Sequence, residues 1–282
     1  MLRIASNVLP LRSISLVKLH KLLVRSIHEH LTLKKYYHSG WEYVIPVGAS
    51  ADEVQAVSNY VESQGQNLVF IDTTDLSTLA PMSYNQRTAG FSLPNDDTNG
   101  AVLGAATIGR IGGLTVGSFD LANLSGLKDV VPQDELNFQT DQEVPYKQAN
   151  VNTYYYAQGT PILRDGKTLA GYYVDTFLGL DWIVKHSLKS LTEVMTKNNR
   201  LPFDATGINV LQSALNVVFT TAFDNGIIDD DDAGKPRFTI TALSRDELKP
   251  NDVKNRIYKG LAWSYYPANS IDDAAISGTI NL

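Results

Sequence analysis

The chain has no cysteine, and that absence removes disulfides, thiolate metal sites and a cysteine nucleophile together, as suits a reducing compartment. Histidine is scarce. Four of the five, His20, His28, His30 and His38, precede residue 40, and His186 stands alone. The His28-Glu29-His30 run lacks the i, i+4 spacing by which two imidazoles on one helix face hold zinc. There is no G-x-S-x-G nucleophile elbow, no G-x-G-x-x-G and no G-x-x-x-x-G-K-[ST] loop, so no catalytic set, metal site or cofactor is expected. Long apolar runs are also missing. Residues 101–119, AVLGAATIGRIGGLTVGSF, come nearest, but Arg110 at their centre would cost about 2.5–3.5 kcal/mol in a bilayer. Glycines 104, 109, 112, 113 and 117 weaken a spanning helix there. The expected element is a short helix ending in a glycine turn, without membrane insertion.

What is present is ordinary for a folded protein: 282 residues, 43% hydrophobic and 19% charged, enough for one large core or two modest ones. The net charge of −6 is unevenly spread. Residues 1–40 carry seven Lys/Arg against Glu29 alone, so the rest holds 17 basic and 29 acidic residues, near −12. A body that acidic repels phosphate, and no nucleic-acid partner is expected. Within residues 1–40, Leu16, Leu19, Leu23, Ile27 and Leu31 recur at helical spacing. Arg, Ser and a single acid on an amphipathic helix also fit an organellar transit peptide, but no small-residue cleavage pattern follows, and an ordinary first helix or a leader from a displaced gene start is the preferred reading.

Residues 42–47 (EYVIPV) have the pattern of a buried strand. A helix follows, with Ser50 and Glu53 in capping-box spacing, Val54, Val57 and Val61 on one line, and Gly65 as its stop. LVFID (68–72) is a second strand, which makes a parallel βαβ unit. Its first turn, PVGAS, holds a single glycine, so nucleotide binding is only the alternative reading. TAGFSLP suggests a further strand, and residues 118–150 are irregular. The segments 152–158 (NTYYYAQ), TPILR and LAGYYVDT are short strands separated by Gly159 and the Asp165-Gly166 turn. Asp175 would close the last of them, and Asp181, just before Trp182, would cap a helix with Val184, Leu188, Leu191 and Met195 on its apolar line. Two carboxylates so placed suit architecture better than acid/base catalysis, which needs both in one cleft with their pKa values pushed apart.

A second amphipathic helix carries Ile208, Leu211, Leu215, Val218 and Ala222, capped by Asp204 or Thr206 and ended by Asn225-Gly226. With the first it makes a helical hairpin. The Asp229–Asp232 run fails the EF-hand ligand spacing, with Ala233 and Ile240 at the fifth and twelfth positions, and is expected as a solvated turn. Strands follow at RFTITAL, IYKGLAWSYY and AAISGTINL.

The order of these elements resembles the tail-sheath-like proteins of contractile-tailed bacteriophages and prophages. The resemblance covers residues 149–282, with WEYVIPVGASADEVQAVSNYVESQGQNLVFIDTT as the preceding βαβ portion. It rests on the asparagine-tyrosine strand, on Gly171, Asp175, Asp181 and Trp182, on the Pro202-Phe-Asp start of the second helix with Gly207, on Gly226, and on the terminal strand. It implies a mixed α+β fold in three parts: a basic helical leader (1–40), a βαβ subdomain (41–148) and a C-terminal sheath-like domain (149–282) with a mixed sheet and the hairpin. Family members carry a longer region before the βαβ unit, which suggests a truncated or remnant prophage gene or a misplaced start. PANSIDDAAI also replaces the family's usual Gly-Ala-Ile-His-like stretch.

The implied role is a non-enzymatic sheath subunit of the virion tail, made in the bacterial host cytoplasm. It would polymerise with itself helically around the tail tube, contract to drive the tube through the envelope, and meet tube and baseplate proteins. Ile276, Gly278 and Ile280 mark the last strand as a donor to a neighbour or as the edge of its own sheet. An α/β nucleotide-binding enzyme and a tube or baseplate component are the alternatives.

Overall fold

The computed structural model describes residues 21–24, 29–93, 102–134 and 143–272. Five parallel strands form one sheet in sequential order: β1 (Lys21–Val24), β2 (Tyr43–Pro46), β3 (Leu68–Asp72), β4 (Thr88–Phe91) and β5 (Val151–Asn152). Both faces of the sheet are covered, which is why its strands are apolar throughout rather than alternating. Along β3, Leu68 and Phe70 enter one core and Val69 and Ile71 the other, the period of two expected of a strand.

One face is closed by α1 (Glu29–Tyr36), α2 (Ala51–Gln64) and a 3₁₀ segment at Leu76–Met82, which supply Leu33, Val57, Val61, Leu79 and Met82. The expected capping box of α2 is present: Glu53 N donates to Ser50 Oγ, Ser50 N donates to Glu53 Oε2 at 2.7 Å, and Gly65 ends the helix at φ 66°. The other face is closed by α3 (Leu103–Ile111) with Leu103, Ile108 and Ile111. That helix ends at Gly112, as expected of residues 101–119, and no helix among the described residues is long and apolar enough to cross a membrane.

After the short α4 (Glu143–Gln148) and β5, a hairpin of β6 (Tyr154–Ala157) and β7 (Thr160–Leu163) turns at Gln158-Gly159. Asn152, fully buried, locks this region to the sheet: its amide donates to the Gly90 and Lys167 carbonyls and accepts from Lys167 N, each within 3.0 Å. The helical hairpin is α5 (Val174–Lys197) and α6 (Ala205–Asp224). Phe219 of α6 packs on Phe238 and Trp263 of a two-stranded antiparallel sheet, β8 (Phe238–Ala242) and β9 (Leu261–Tyr265). Between those strands lie a 3₁₀ turn at Arg245–Glu247 and α7 (Pro250–Lys254).

Three expectations need correction. KLLV at 21–24 is a strand paired with β2, Lys21 in register with Tyr43, so the helical spacing read through Leu23 is broken by pairing with a distant strand, and the described helix there is α1. LAGYYVDT is not a strand: apart from the single Lys167–Tyr173 bridge, the chain turns and enters α5 at Val174. Asp181 therefore lies inside α5 rather than at its start, and the residue before the helix, Tyr173, makes no side-chain cap. β5 completes the parallel sheet, and Tyr154, Leu163, Val174 and Leu178 share a cluster with Phe70 and Phe91. Residues 276, 278 and 280 lie outside the described residues.

Candidate assembly site

The helical hairpin is fastened to the sheet through Arg87, the residue before β4. Its Nη1 donates to Asp181 Oδ2 at 2.7 Å, its Nη2 to the Gly65 carbonyl at 2.7 Å, and its guanidinium lies 4.6 Å from the Phe177 ring centroid. Arg87 N donates to Glu62 Oε2 at 2.8 Å, and Asn67 N donates to Asp181 Oδ2 at 2.9 Å. The loop before β3, the strand β4 and the helix α5 thus meet at one carboxylate. The Arg87 side chain is 6% exposed and that of Asp181 21%. Burial pushes the Asp181 carboxyl above its ordinary range despite the Arg87 charge that opposes it, so the pair serves to orient α5 more than to add net stability. One turn on, the exposed Lys185 Nζ meets Glu42 Oε1 at 3.2 Å, a contact of the kind worth little.

The sequence motif residues fall into two groups. Asp204 caps α6, accepting from Thr206 N at 2.9 Å and Gly207 N at 3.1 Å. Gly207 sits against the preceding turn: a Cβ there would lie 1.9 Å from the Pro202 carbonyl oxygen. At the other end of α6, Gly226 (φ 81°) lies against Gly117 (φ 93°), where a side chain on either would strike the other loop's backbone within 2.8 Å. These five residues shape the hairpin. Gly171 (φ 85°) turns the chain into α5, and Trp182 stacks on His186 at 3.9 Å. Asp175, in the first turn of α5, accepts from Thr176 N at 2.8 Å.

Asp175 and Asp181 are not brought together as a pair. Asp175 lines a cavity of about 170 Å³ with Asp120, Tyr173 and Asp272. Burial, and a hydrogen bond with Asp272, push the Asp120 carboxyl up to about 6. Among the described residues no group of His, Cys, Asp and Glu is arranged to hold a metal ion. The carboxyl ends of the parallel strands, where an α/β fold would seat a phosphate on a helix N-terminus, are filled by the chain itself. Glu53 and Ser50 close α2, and the Asp72 carboxylate takes the amide of Gly104 and, at 3.4 Å, that of Ala105 at the start of α3.

Of the two outer edges of the β8–β9 sheet, that of β8 takes a side-chain hydrogen bond from α6 and that of β9 takes none among the described residues. Leu243 N donates to Gly260 O and Tyr266 N to Arg237 O, each at 3.0 Å. By antiparallel alternation, Phe238, Ile240 and Ala242 on β8, and Leu261, Trp263 and Tyr265 on β9, turn their backbone groups away from each other. On the β8 side, Gln212 of α6 donates to the Ile240 carbonyl at 3.0 Å. On the β9 side nothing among the described residues pairs with Leu261, Trp263 or Tyr265. Such an edge invites a further strand. The sequence did not signal it, because an open edge is defined by what fails to fold back onto it.

A parallel sheet covered on both faces, followed by a long helical hairpin and a small antiparallel sheet, is a fold with similar solved structures among contractile-tail proteins. The chain is similar to a protein in the cryo-EM structure of the anti-feeding prophage baseplate (TM-score 0.66, 10% identity, 90% of this chain and 73% of that one). It is similar also to the anti-feeding prophage helical sheath in the contracted state (TM-score 0.63, 10% identity, 89% and 74%). Against the sheath tail protein of Listeria innocua the TM-score is 0.52 at 14% identity, covering 86% of this chain and 57% of that one. No protein-family model and no curated protein sequence matches the chain.

Proposed function

We propose that the chain is a structural, non-enzymatic subunit of a phage-type contractile tail, polymerising with itself in the sheath around the tail tube and contracting to drive that tube through the envelope. The observation that carries the reading is the β9 edge, unpaired among the described residues, packed on the helical hairpin through Phe219 and turned away from β8. Added strands supply main-chain hydrogen bonds in register, and a head-to-tail contact that does not close generates a helical polymer. The donor is the terminal segment with Ile276, Gly278 and Ile280 from a neighbouring copy. Tube and baseplate proteins are the further partners, and the virion tail is the location, after synthesis in the host cytoplasm.

Deleting residues 276–282 leaves a folded monomer that no longer forms tubes; intact tubes from the deletion would overturn the donor assignment. The likeness to a baseplate structure favours a second reading, in which the same edge joins a baseplate ring rather than a long sheath. A ring of fixed copy number on electron micrographs, instead of tubes of variable length, distinguishes it. The nucleotide-binding alternative is disfavoured by the side chains that already occupy the helix N-termini.

A further inference from the structure

After β9 the chain continues as a strap, residues 267–272, in which no residue is buried. Its near end is held by the backbone: Asp229 N donates to the Tyr266 carbonyl at 2.9 Å and Ala268 N to the Ile227 carbonyl at 3.0 Å. Its far end is held at Asp272. The carbonyl of that residue accepts from Asn123 Nδ2 at 2.9 Å, and its carboxyl bonds to the Asp120 carboxyl and to the Tyr173 hydroxyl. Between the two ends, no backbone hydrogen bond among the described residues holds Asn269, Ser270 or Ile271, and Ile271 is 86% exposed. Little is packed against the strap: cavities of about 350, 170 and 360 Å³ adjoin it in turn, each lined in part by Ser270.

The two carboxyls of the far anchor are mounted differently. Asp120 Oδ1 accepts from Ala122 N at 3.0 Å, and Leu121 and Ala122 beside it are buried, whereas Asp272 belongs to the strap. Two carboxyls bond to each other only while one of them holds a proton; ionised together at that distance they repel. We propose that the pair is an acid-closed latch: the strap lies across its cavities while Asp120 and Asp272 share a proton, and its Asp272 end lifts away when both carboxyls ionise. Neighbouring charges act on both sides of this balance. Asp175 in the first turn of α5 and Asp165 add negative charge, and Arg164 and Lys167, which line the outermost cavity with Asp272, oppose it. The hydroxyls of Tyr173 and Tyr265 are raised above their ordinary value of 10 and stay neutral throughout. Burial and the Asp272 contact push the Asp120 carboxyl from 3.8 up to about 6 in the closed form, so the closed strap binds the proton more tightly than the open one. Closure is therefore strongest below about pH 4 and weakens as pH rises through 6, with the open-to-closed ratio rising on the order of 100-fold. The latch is a property of the single chain and does not rest on assembly.

The absence of cysteine makes the test clean. In the full chain, Ile271→Cys supplies a single thiol for a nitroxide spin label at a side chain that is already exposed, and Val217→Cys, on the exposed face of α6, supplies a control in a separate sample. Spectra recorded from about pH 4 to about pH 8 should show the ratio of mobile to immobile label at residue 271 rising at least tenfold, with the label at 217 unchanged. Asp120→Asn and Asp272→Asn each replace the shared proton by an amide that donates to the remaining carboxylate at every pH, so either one should hold the label at 271 immobile throughout. Asp272→Asn lies on the strap and leaves the core untouched. A spectrum at 271 that is the same at both ends of the range, or a transition that survives in either asparagine variant, would overturn the latch. A parallel change at 217 would overturn it as well, by making the transition global.

Discussion

Removing the Asp181 carboxylate should destabilise the protein mainly by abandoning Arg87. In Asp181→Ala, the guanidinium keeps the Gly65 carbonyl and the Phe177 ring but stays 6% exposed with no counter-charge. Breaking a buried pair from one side costs about 3–5 kcal/mol. The low end applies here, about 3 kcal/mol, because those two contacts survive and the carboxylate was 21% exposed. For a chain of this length that lowers the melting temperature by roughly 6 °C. Calorimetry on three variants separates the causes. Lys185→Ala, which removes an exposed pair, should stay within about 0.5 kcal/mol of the parent. Arg87→Met with Asp181→Leu should recover most of the loss, since apolar replacement of both partners of a buried pair is often neutral. Equal losses in Asp181→Ala and Lys185→Ala, or a double variant worse than the single one, would refute the reasoning.

Burial pushes the Asp72 carboxyl up to about 6, so the native state binds the proton more tightly than the unfolded chain. Stability from this group is complete below about pH 4 and falls by about 3 kcal/mol as pH rises through 6. Asp72→Asn should flatten that slope in urea titrations at successive pH values, and an unaltered slope would contradict the assignment. Gly207→Ala should cost about 3 kcal/mol or more, because its Cβ would collide with the Pro202 carbonyl and no flexible side chain is there to yield. Gly109→Ala, in the exposed part of α3 with nothing within 4 Å, should instead gain about 0.5–1 kcal/mol. Denaturation midpoints moving in the same direction for both would refute the packing argument.

The parts of the fold legible in the sequence were those set by neighbours within a few residues. Ser50, Glu53 and Gly65 bound α2 because capping box and left-handed stop are local chemistry. Asp204 and Gly226 bound α6 for the same reason. The start of α5 was misread because Tyr172, Tyr173 and Val174 have strand propensity, while the helix begins there without a side-chain cap. Asp181 resembles a cap in its local context, but its partners lie 94 and 114 residues away, and no spacing rule reaches them. The strand at 21–24 and the two-residue β5 exist only because of the strands beside them. The Pro202–Gly207 contact was visible as a motif, but its cause, a carbonyl pressed on a helix, was not.

The central claim is that this subunit builds a tail polymer through an open strand edge, and negative-stain electron microscopy of the purified, concentrated chain in moderate salt tests it most directly. The account predicts hollow tubes or stacked rings, lost when residues 276–282 are deleted. Uniform monomers at every concentration and salt, from a chain that melts cooperatively, would contradict it.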